Sequence, residues 1–212
     1  MITLNSIYIY FLAIKKIFIR SLKEFFFSSN YYNKLLNTKI PSSFLFNPNP
    51  YLLSPFINHN ETLIKISNED VRNFRINLFK NKERENIHNF LWLNLIDRKN
   101  KKETIQKIIR EWINSYSKYT KGVWDERLTS LRIISWISNA DLILNTSDKD
   151  FNRSFCKNII RQINFIKNNI NSLSDENKKI SSISLLVLSG LVFKEYYIHY
   201  RLGLKELKKF ID

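Results

Sequence analysis

From Trp124 to Ile137 the chain reads Trp-Asp-Glu-Arg-Leu-Thr-Ser-Leu-Arg-Ile-Ile-Ser-Trp-Ile, and Leu128, Leu131, Ile134 and Ile137 recur at three-residue steps. On a helix these positions make one apolar stripe, with Arg132 and Trp136 projecting from its flank one turn apart. The pattern predicts a buried helix that carries a charge, running to about Leu144. Similar one-face patterns follow on either side. Ile105, Ile108, Ile109, Trp112, Ile113 and Tyr116 predict a helix over about 101–116, with Asn100 and Glu103 spaced as a capping pair. Phe151, Phe155, Ile159, Ile163, Ile166 and Ile170 predict another after the polar turn Asn145 to Asp150. The stretch 176–195 is apolar almost all round from Ile183 to Phe193, which predicts a central helix, with Ser172 to Asp175 supplying cap candidates. A last helix over about 198–211 offers Leu204, Leu207, Phe210 and Ile211.

The earlier part of the chain is less regular. Ile87 to Asp97 puts Ile87, Phe90, Leu91 and Leu95 on one side and predicts a helix, with His88 beside that face. Thr62 to Ile66 and Phe74 to Phe79 alternate weakly and suit either short strands or irregular chain. All four prolines, Pro41, Pro48, Pro50 and Pro55, fall in one window, which favours extended and turn conformations and a connecting arm. Residues 1–36 mix apolar and basic positions. The uncharged opening through Ile14 is shorter than the roughly 18–20 residues of a membrane span, and Lys15-Lys16 follow it at once. As a signal peptide it is poor, because the charge follows the apolar run and no small-residue cleavage site is evident. An amphipathic helix is expected, with packing on the body favoured over lying on an anionic membrane surface. The predicted organisation is an amphipathic N-terminal helix over 1–36, a Pro-containing arm over 37–85 and a helical domain over 86–212. The fold class is all-α, built of antiparallel helical hairpins. Periodicity does not choose between a toroid and a solenoid, and no repeated motif favours the latter.

Composition changes this picture in two ways. The 212 residues carry 34 Lys+Arg against 19 Asp+Glu, a formal net charge of +15, which points to an anionic partner. The basic residues are dispersed, however, and the wealth of Asn, Lys, Ile and Phe is what an AT-rich coding sequence produces, so nucleic acid is not the favoured partner. The lone Cys156 lies within a helical pattern and reads as a small core residue. His59, His88 and His199 are far apart, so no metal site is expected, and no cofactor is indicated. The group Trp124, Arg132 and Trp136 admits two readings. A guanidinium between two indoles is a packing clamp, or it is part of an anionic site that keeps its donor fork for a carboxylate.

The segment His88-Asn89-Phe90-Leu91-Trp92-Leu93-Asn94-Leu95, then Arg110-Glu111-Trp112-Ile113, then Trp124 with Arg132-Ile133-Ile134-Ser135-Trp136-Ile137 resembles, in order and spacing, the N-terminal helical domain of the heparinase II/III-like family. The arm around Tyr32 to Pro55 is similar to the segment preceding that domain in bacterial members, and Asn177 to Gly190 to the helix that follows. The resemblance implies an incomplete (α/α) toroid, truncated before a separate C-terminal β-sandwich half, and a location in the periplasm or cell envelope. It implies polysaccharide lyase chemistry on acidic polysaccharides: a base removes the C5 proton of a uronate, a tyrosine protonates the leaving O4, and an Asn or His neutralises the carboxylate. Asn177 matches the family's Asn, whereas Lys178 stands where the family has His, and the family's tyrosine lies beyond the residues that align. Asn177 is therefore the implied catalytic residue, and a plain helix-start position is its other reading. Trp92, Trp124, Arg132 and Trp136 are the implied substrate contacts, with indoles stacking on sugar faces and Arg132 meeting a carboxylate.

Two readings from other classes stand beside this one. A basic helical binding module for nucleic acid or an anionic membrane surface predicts charge gathered on one face, with residues 1–36 as the membrane element. A helical scaffold without a ligand predicts that Arg132 is satisfied internally by a partner such as Asp125, Glu126 or Asp141.

Overall fold

The computed structural model describes residues 4–41, 87–95, 102–144 and 148–212, and for residues 4–7 and 95 the backbone only. Among these residues every regular element is helical. The predicted strands, the cap pair at Asn100 and most of the Pro-containing arm lie outside them. In chain order the α-helices are α1 (Leu4–Ser28), α2 (Asn30–Leu35), α3 (Lys102–Tyr116), α4 (Glu126–Ser138), α5 (Ala140–Ile143), α6 (Lys149–Asn169), α7 (Glu176–Val192) and α8 (Tyr197–Ile211).

Helix α4 begins where its sequence provides a cap: Asp125 has extended backbone, and its carboxylate accepts from the amides of Arg127 and Leu128. From Thr129 to Ser138 every residue is buried. A helix sheathed on all sides needs its polar residues satisfied, and small hydroxyls do this. Ser130 Oγ donates to Glu126 O at 2.8 Å, and Ser135 Oγ donates to Phe90 O at 2.7 Å. The helix stops six residues before the predicted Leu144. Asn139 turns its amide back to donate to Ser135 O and to Asn94 Oδ1, both at 2.9 Å, and the chain resumes as the short α5.

The other helices pack around α4. Helix α6 is capped by Asp148, whose carboxylate takes the Phe151 amide at 2.9 Å, and it buries the Phe151, Phe155, Ile159, Ile163 and Ile166 stripe as the periodicity predicts. Helix α7, capped by Asp175, packs against α4, α6 and α8 and leaves Leu191 exposed. It meets α8 closely at two glycines. A Cβ on Gly190 would lie 2.4 Å from Tyr200 N, and one on Gly203 would lie 2.7 Å from Val187 Cγ2.

Two sequence expectations are corrected. The segment after His88 is not an α-helix: Phe90 takes a left-handed φ of 57°, Asn89 Oδ1 captures the Leu91 amide at 2.9 Å, and a 3-10 turn follows over Leu91–Leu95. Ile87, Phe90, Leu91, Trp92 and Leu93 are all buried. A run of adjacent apolar residues cannot all face inward from a helix with one covered side, and the tighter turn aims them at the core. The second correction concerns α1. Only its C-terminal end and α2 are seated, through buried Phe27, Tyr32 and Leu36, and through Asn164 Nδ2 donating to Leu36 O at 3.0 Å. From Tyr8 to Phe25 its large apolar side chains are exposed, and contact with the body in that range is made by polar side chains, Lys23 reaching Ser172 and Glu24 pairing with Lys121.

Replacing Gly190 with Ala forces α7 and α8 apart, because the nearest atoms are backbone rather than a flexible tip. The expected outcome is a loss of about 2–3 kcal/mol, read as a lower midpoint in chemical denaturation followed by far-ultraviolet circular dichroism.

Candidate functional site

Arg132, on α4, is fully buried. Its Nε donates to Gln162 Oε1 at 2.7 Å, Nη1 to His88 O at 2.9 Å and Val123 O at 3.2 Å, and Nη2 to Thr129 Oγ1 at 3.0 Å. The guanidinium carbon lies 4.4 Å from the centre of the Trp112 ring. No carboxylate is among these partners, so burial lowers the pKa to about 9, with Asp125 acting in the opposite direction. The group keeps its proton at neutral pH.

The indole partner is therefore Trp112 rather than Trp124 or Trp136. Trp136 belongs to an aromatic cluster: its ring is 5.2 Å from Phe90, 5.2 Å from Trp112 at a right angle, and 5.3 Å from Phe155. Trp92 adjoins Phe90 at 5.3 Å and donates its indole N–H to Ile87 O. Trp92, Trp136 and Arg132 are enclosed by protein, with 2%, 0% and 0% of their surface exposed, so in this structure no sugar face reaches them. Arg132 is satisfied within the chain, as the scaffold reading expects, but by neutral acceptors and not by Asp125, Glu126 or Asp141.

His88 joins this core. Trp112 Nε1 donates to its Nδ1 at 3.1 Å, which leaves the ring proton on Nε2, and burial with the nearby Arg132 charge lowers its pKa to about 4. His199 is likewise buried, and burial together with Lys167 lowers its pKa to about 4.

A groove of about 690 Å³ opens where the N-termini of α4 and α7 meet the C-terminal half of α1. Phe27, Tyr119, Trp124 and Phe165 form its aromatic floor, and Arg20, Lys23, Lys121 and Lys178 bring four cations. The floor is a connected cluster, with Trp124 and Phe165 rings 5.4 Å apart and Phe27 and Tyr119 rings 5.1 Å apart. Three carboxylates, Glu24, Asp125 and Glu126, also line it and hold three of the cations, while Lys23 reaches Ser172 and lies over the Phe27 ring. Lys121 Nζ reaches Glu24 at 2.9 Å and Arg20 Nε reaches it at 3.2 Å. The Lys121 hydrogen bond is the main influence keeping the Glu24 carboxyl below its usual range. Lys178 bridges the two helix starts, donating to Asp125 and, at 3.1 Å, to Glu126. Burial opposes the Lys178 charge, but the hydrogen bonds and charges of Asp125 and Glu126 outweigh it and raise the pKa.

Of the sequence candidates only Trp124 lines this groove, at 2% exposure, with its indole N–H donating to Tyr116 O. Asn177 is exposed in the first turn of α7, next to the groove-lining Lys178, and its backbone carbonyl accepts from Ser181 Oγ. The sequence reading passed over Arg20, Lys23, Tyr119 and Lys121. The i, i+3, i+4, i+7 spacing of Arg20, Lys23, Glu24 and Phe27 was the signal available for one wall. Among the described residues no cluster of His, Cys, Asp or Glu has the makings of a metal site, and burial pushes the Cys156 thiol up to about 11. Comparison with protein-family models, curated proteins and solved structures finds no match.

Two outcomes follow from this geometry. Arg132→Met strips the donors from four buried acceptors and costs roughly 3–5 kcal/mol, measured by urea denaturation. His88 and His199 titrate in the folded chain near 4, well below the ordinary 6.5. Below 6.5 the unfolded chain therefore binds more protons, and stability falls as pH drops from about 6.5 to about 4, by up to about 3 kcal/mol per histidine. Denaturation midpoints collected across that window check it, and a His88→Gln, His199→Gln double variant flattens the slope.

Proposed function

We propose that this chain is the helical, toroid-like part of a heparinase II/III-like polysaccharide lyase, and that the groove between α1, α4 and α7 takes a segment of acidic polysaccharide. The observation that carries the reading is the groove itself, where four cations, three of them paired with Glu24, Asp125 and Glu126, edge an aromatic floor. Of the four floor rings only Tyr119 is half-exposed and open to the C–H face of a sugar, Phe27, Trp124 and Phe165 being buried beneath it, so the reading leans on uronate carboxylates meeting ammonium and guanidinium donors. The volume of about 690 Å³ is within the range of ligand pockets. The resemblance supports the same place independently, because the position aligned with the family's Asn-His pair, Asn177 and Lys178, lies at its edge.

Chemistry in the groove is limited to binding. Lys178 is held as a cation by Asp125 and Glu126, so it neutralises a carboxylate and does not accept the C5 proton. Asn177 presents an exposed amide, suited to hydrogen-bond that carboxylate. The base and the acid of the elimination are not assigned to residues of this chain, and the helical part alone is proposed to be inactive.

Titration with oligouronates tests the reading. Binding in the millimolar range is expected, about −4 kcal/mol, weakening as salt rises. Arg20→Ala with Lys121→Ala should lower affinity several-fold without changing the unfolding midpoint, since both side chains are largely exposed. No unsaturated uronate should appear in ultraviolet absorbance. Salt-independent affinity, or none, removes the glycan reading, and measurable turnover removes the inactivity.

A further inference from the structure

Helix α1 meets the body along one side of its C-terminal half, and its other sides carry exposed apolar residues, Ile9, Leu12, Ile17 and Ile19 among them. Arg20, Lys23, Glu24 and Phe27 point to the body and line the groove. Phe11, Ile14, Phe18, Leu22 and Phe25 lie about 170° away around a helix of 3.6 residues per turn. These five have no packing partner among the described residues, with exposures from 51% at Leu22 to 79% at Phe25. The helix is 25 residues long, about 37 Å at 1.5 Å per residue, and among the described residues no helix is long and apolar enough to cross a membrane. What covers this face is indicated by charge. Lys15 edges the apolar stripe, and Lys16, Arg20 and Lys23 lie behind it. The only acid between residues 8 and 28, Glu24, is turned into the groove against Lys121. A second copy of the chain would bring like charges together, on a molecule with a formal net charge of +15. An anionic surface that is apolar underneath satisfies both the stripe and its basic edge.

We propose that α1 is an interfacial anchor that lies in the plane of an anionic lipid surface, with Phe11, Ile14, Phe18, Leu22 and Phe25 in the headgroup and acyl boundary. Lys15 meets lipid phosphates, and its methylene stem covers the edge of the apolar stripe. The groove then faces away from the lipid, because the residues that line it from α1 occupy the opposite side of the same helix. A soluble or surface-bound polymer reaches the groove while the chain stays on the membrane. This inference does not rest on the glycan reading, and the two fail separately.

Co-sedimentation of the full chain with vesicles of phosphatidylcholine alone, and of phosphatidylcholine with phosphatidylglycerol, is the test. Binding to the anionic vesicles is expected, with little to phosphatidylcholine alone and a fall on raising sodium chloride. A Phe11→Ser, Phe18→Ser, Phe25→Ser variant should bind at least about tenfold more weakly, with an unchanged unfolding midpoint and unchanged oligouronate binding, because these rings are exposed and do not line the groove. Lys15→Glu with Lys16→Glu should abolish the preference for anionic lipid. No binding to anionic vesicles overturns the proposal, as does undiminished binding by the triple-serine variant. A lipid-free dimer in sedimentation equilibrium, dissolved by that variant and accompanied by no vesicle binding, overturns it in favour of self-association.

Discussion

Taking a guanidinium out of water is costly unless its donors find acceptors, and this constraint organises the interior. The acceptors around Arg132 come from four separate parts of the chain: the His88 carbonyl, the Val123 carbonyl, Thr129 on its own helix and Gln162 on α6. Each must be in place at once, so one side chain ties the 3-10 segment, the loop before α4 and the helix α6 to the centre of the molecule. Gln162 shows how demanding this is. Its carbonyl is committed to Arg132, and its Nε2 finds no acceptor among the described residues. The indole of Trp112 covers the guanidinium face and also donates to His88, whose imidazole is kept neutral by burial and by the Arg132 charge.

The same interior shapes the groove. Asp125 caps α4 with one carboxylate oxygen and takes Lys178 with the other, so the start of the buried helix is joined to the start of α7. Val123, two residues earlier, gives its carbonyl to Arg132. The loop that frames the groove is thus held from below by the core and from the side by an ion bridge. Trp124, between these two residues, fills the floor without being free to swing outward, because its N–H is bound to Tyr116 O. The rigid part of the groove belongs to the core, and the wall contributed by α1 rests on Phe27 and on Lys121 reaching Glu24.

Much of the fold was legible in residue order. Helices α3, α6, α7 and α8 lie close to where their apolar periodicities place them, and the capping roles of Asp148 and Asp175 follow from acidic residues set just before apolar patterns. Burial of Arg132 was legible too, because its neighbours Leu131, Ile133 and Ile134 leave a helical position no exit to solvent. The partners of Arg132 were not legible. Gln162 and the His88 carbonyl are 30 and 44 residues distant, and nothing local distinguishes a carbonyl that will accept a guanidinium proton from one that will not. The candidate site was legible at one edge only. Asn177 and Trp124 touch its surroundings, while Lys121, Tyr119 and the face of α1 are brought together by chain crossings that no spacing encodes.

By itself the sequence determined the helices from Lys102 onward, where most of them begin, and the stripes they bury in the core, since these depend on short-range periodicity, capping and the removal of apolar surface. Tertiary structure alone decided that Arg132 lies on Trp112 rather than on the neighbouring indoles, that adjacent apolar residues after His88 wind into a 3-10 turn, and that the outer face of α1 has no partner among the described residues. Each of these depends on which surfaces meet across the fold, and an amphipathic pattern specifies that a face is apolar without specifying what covers it.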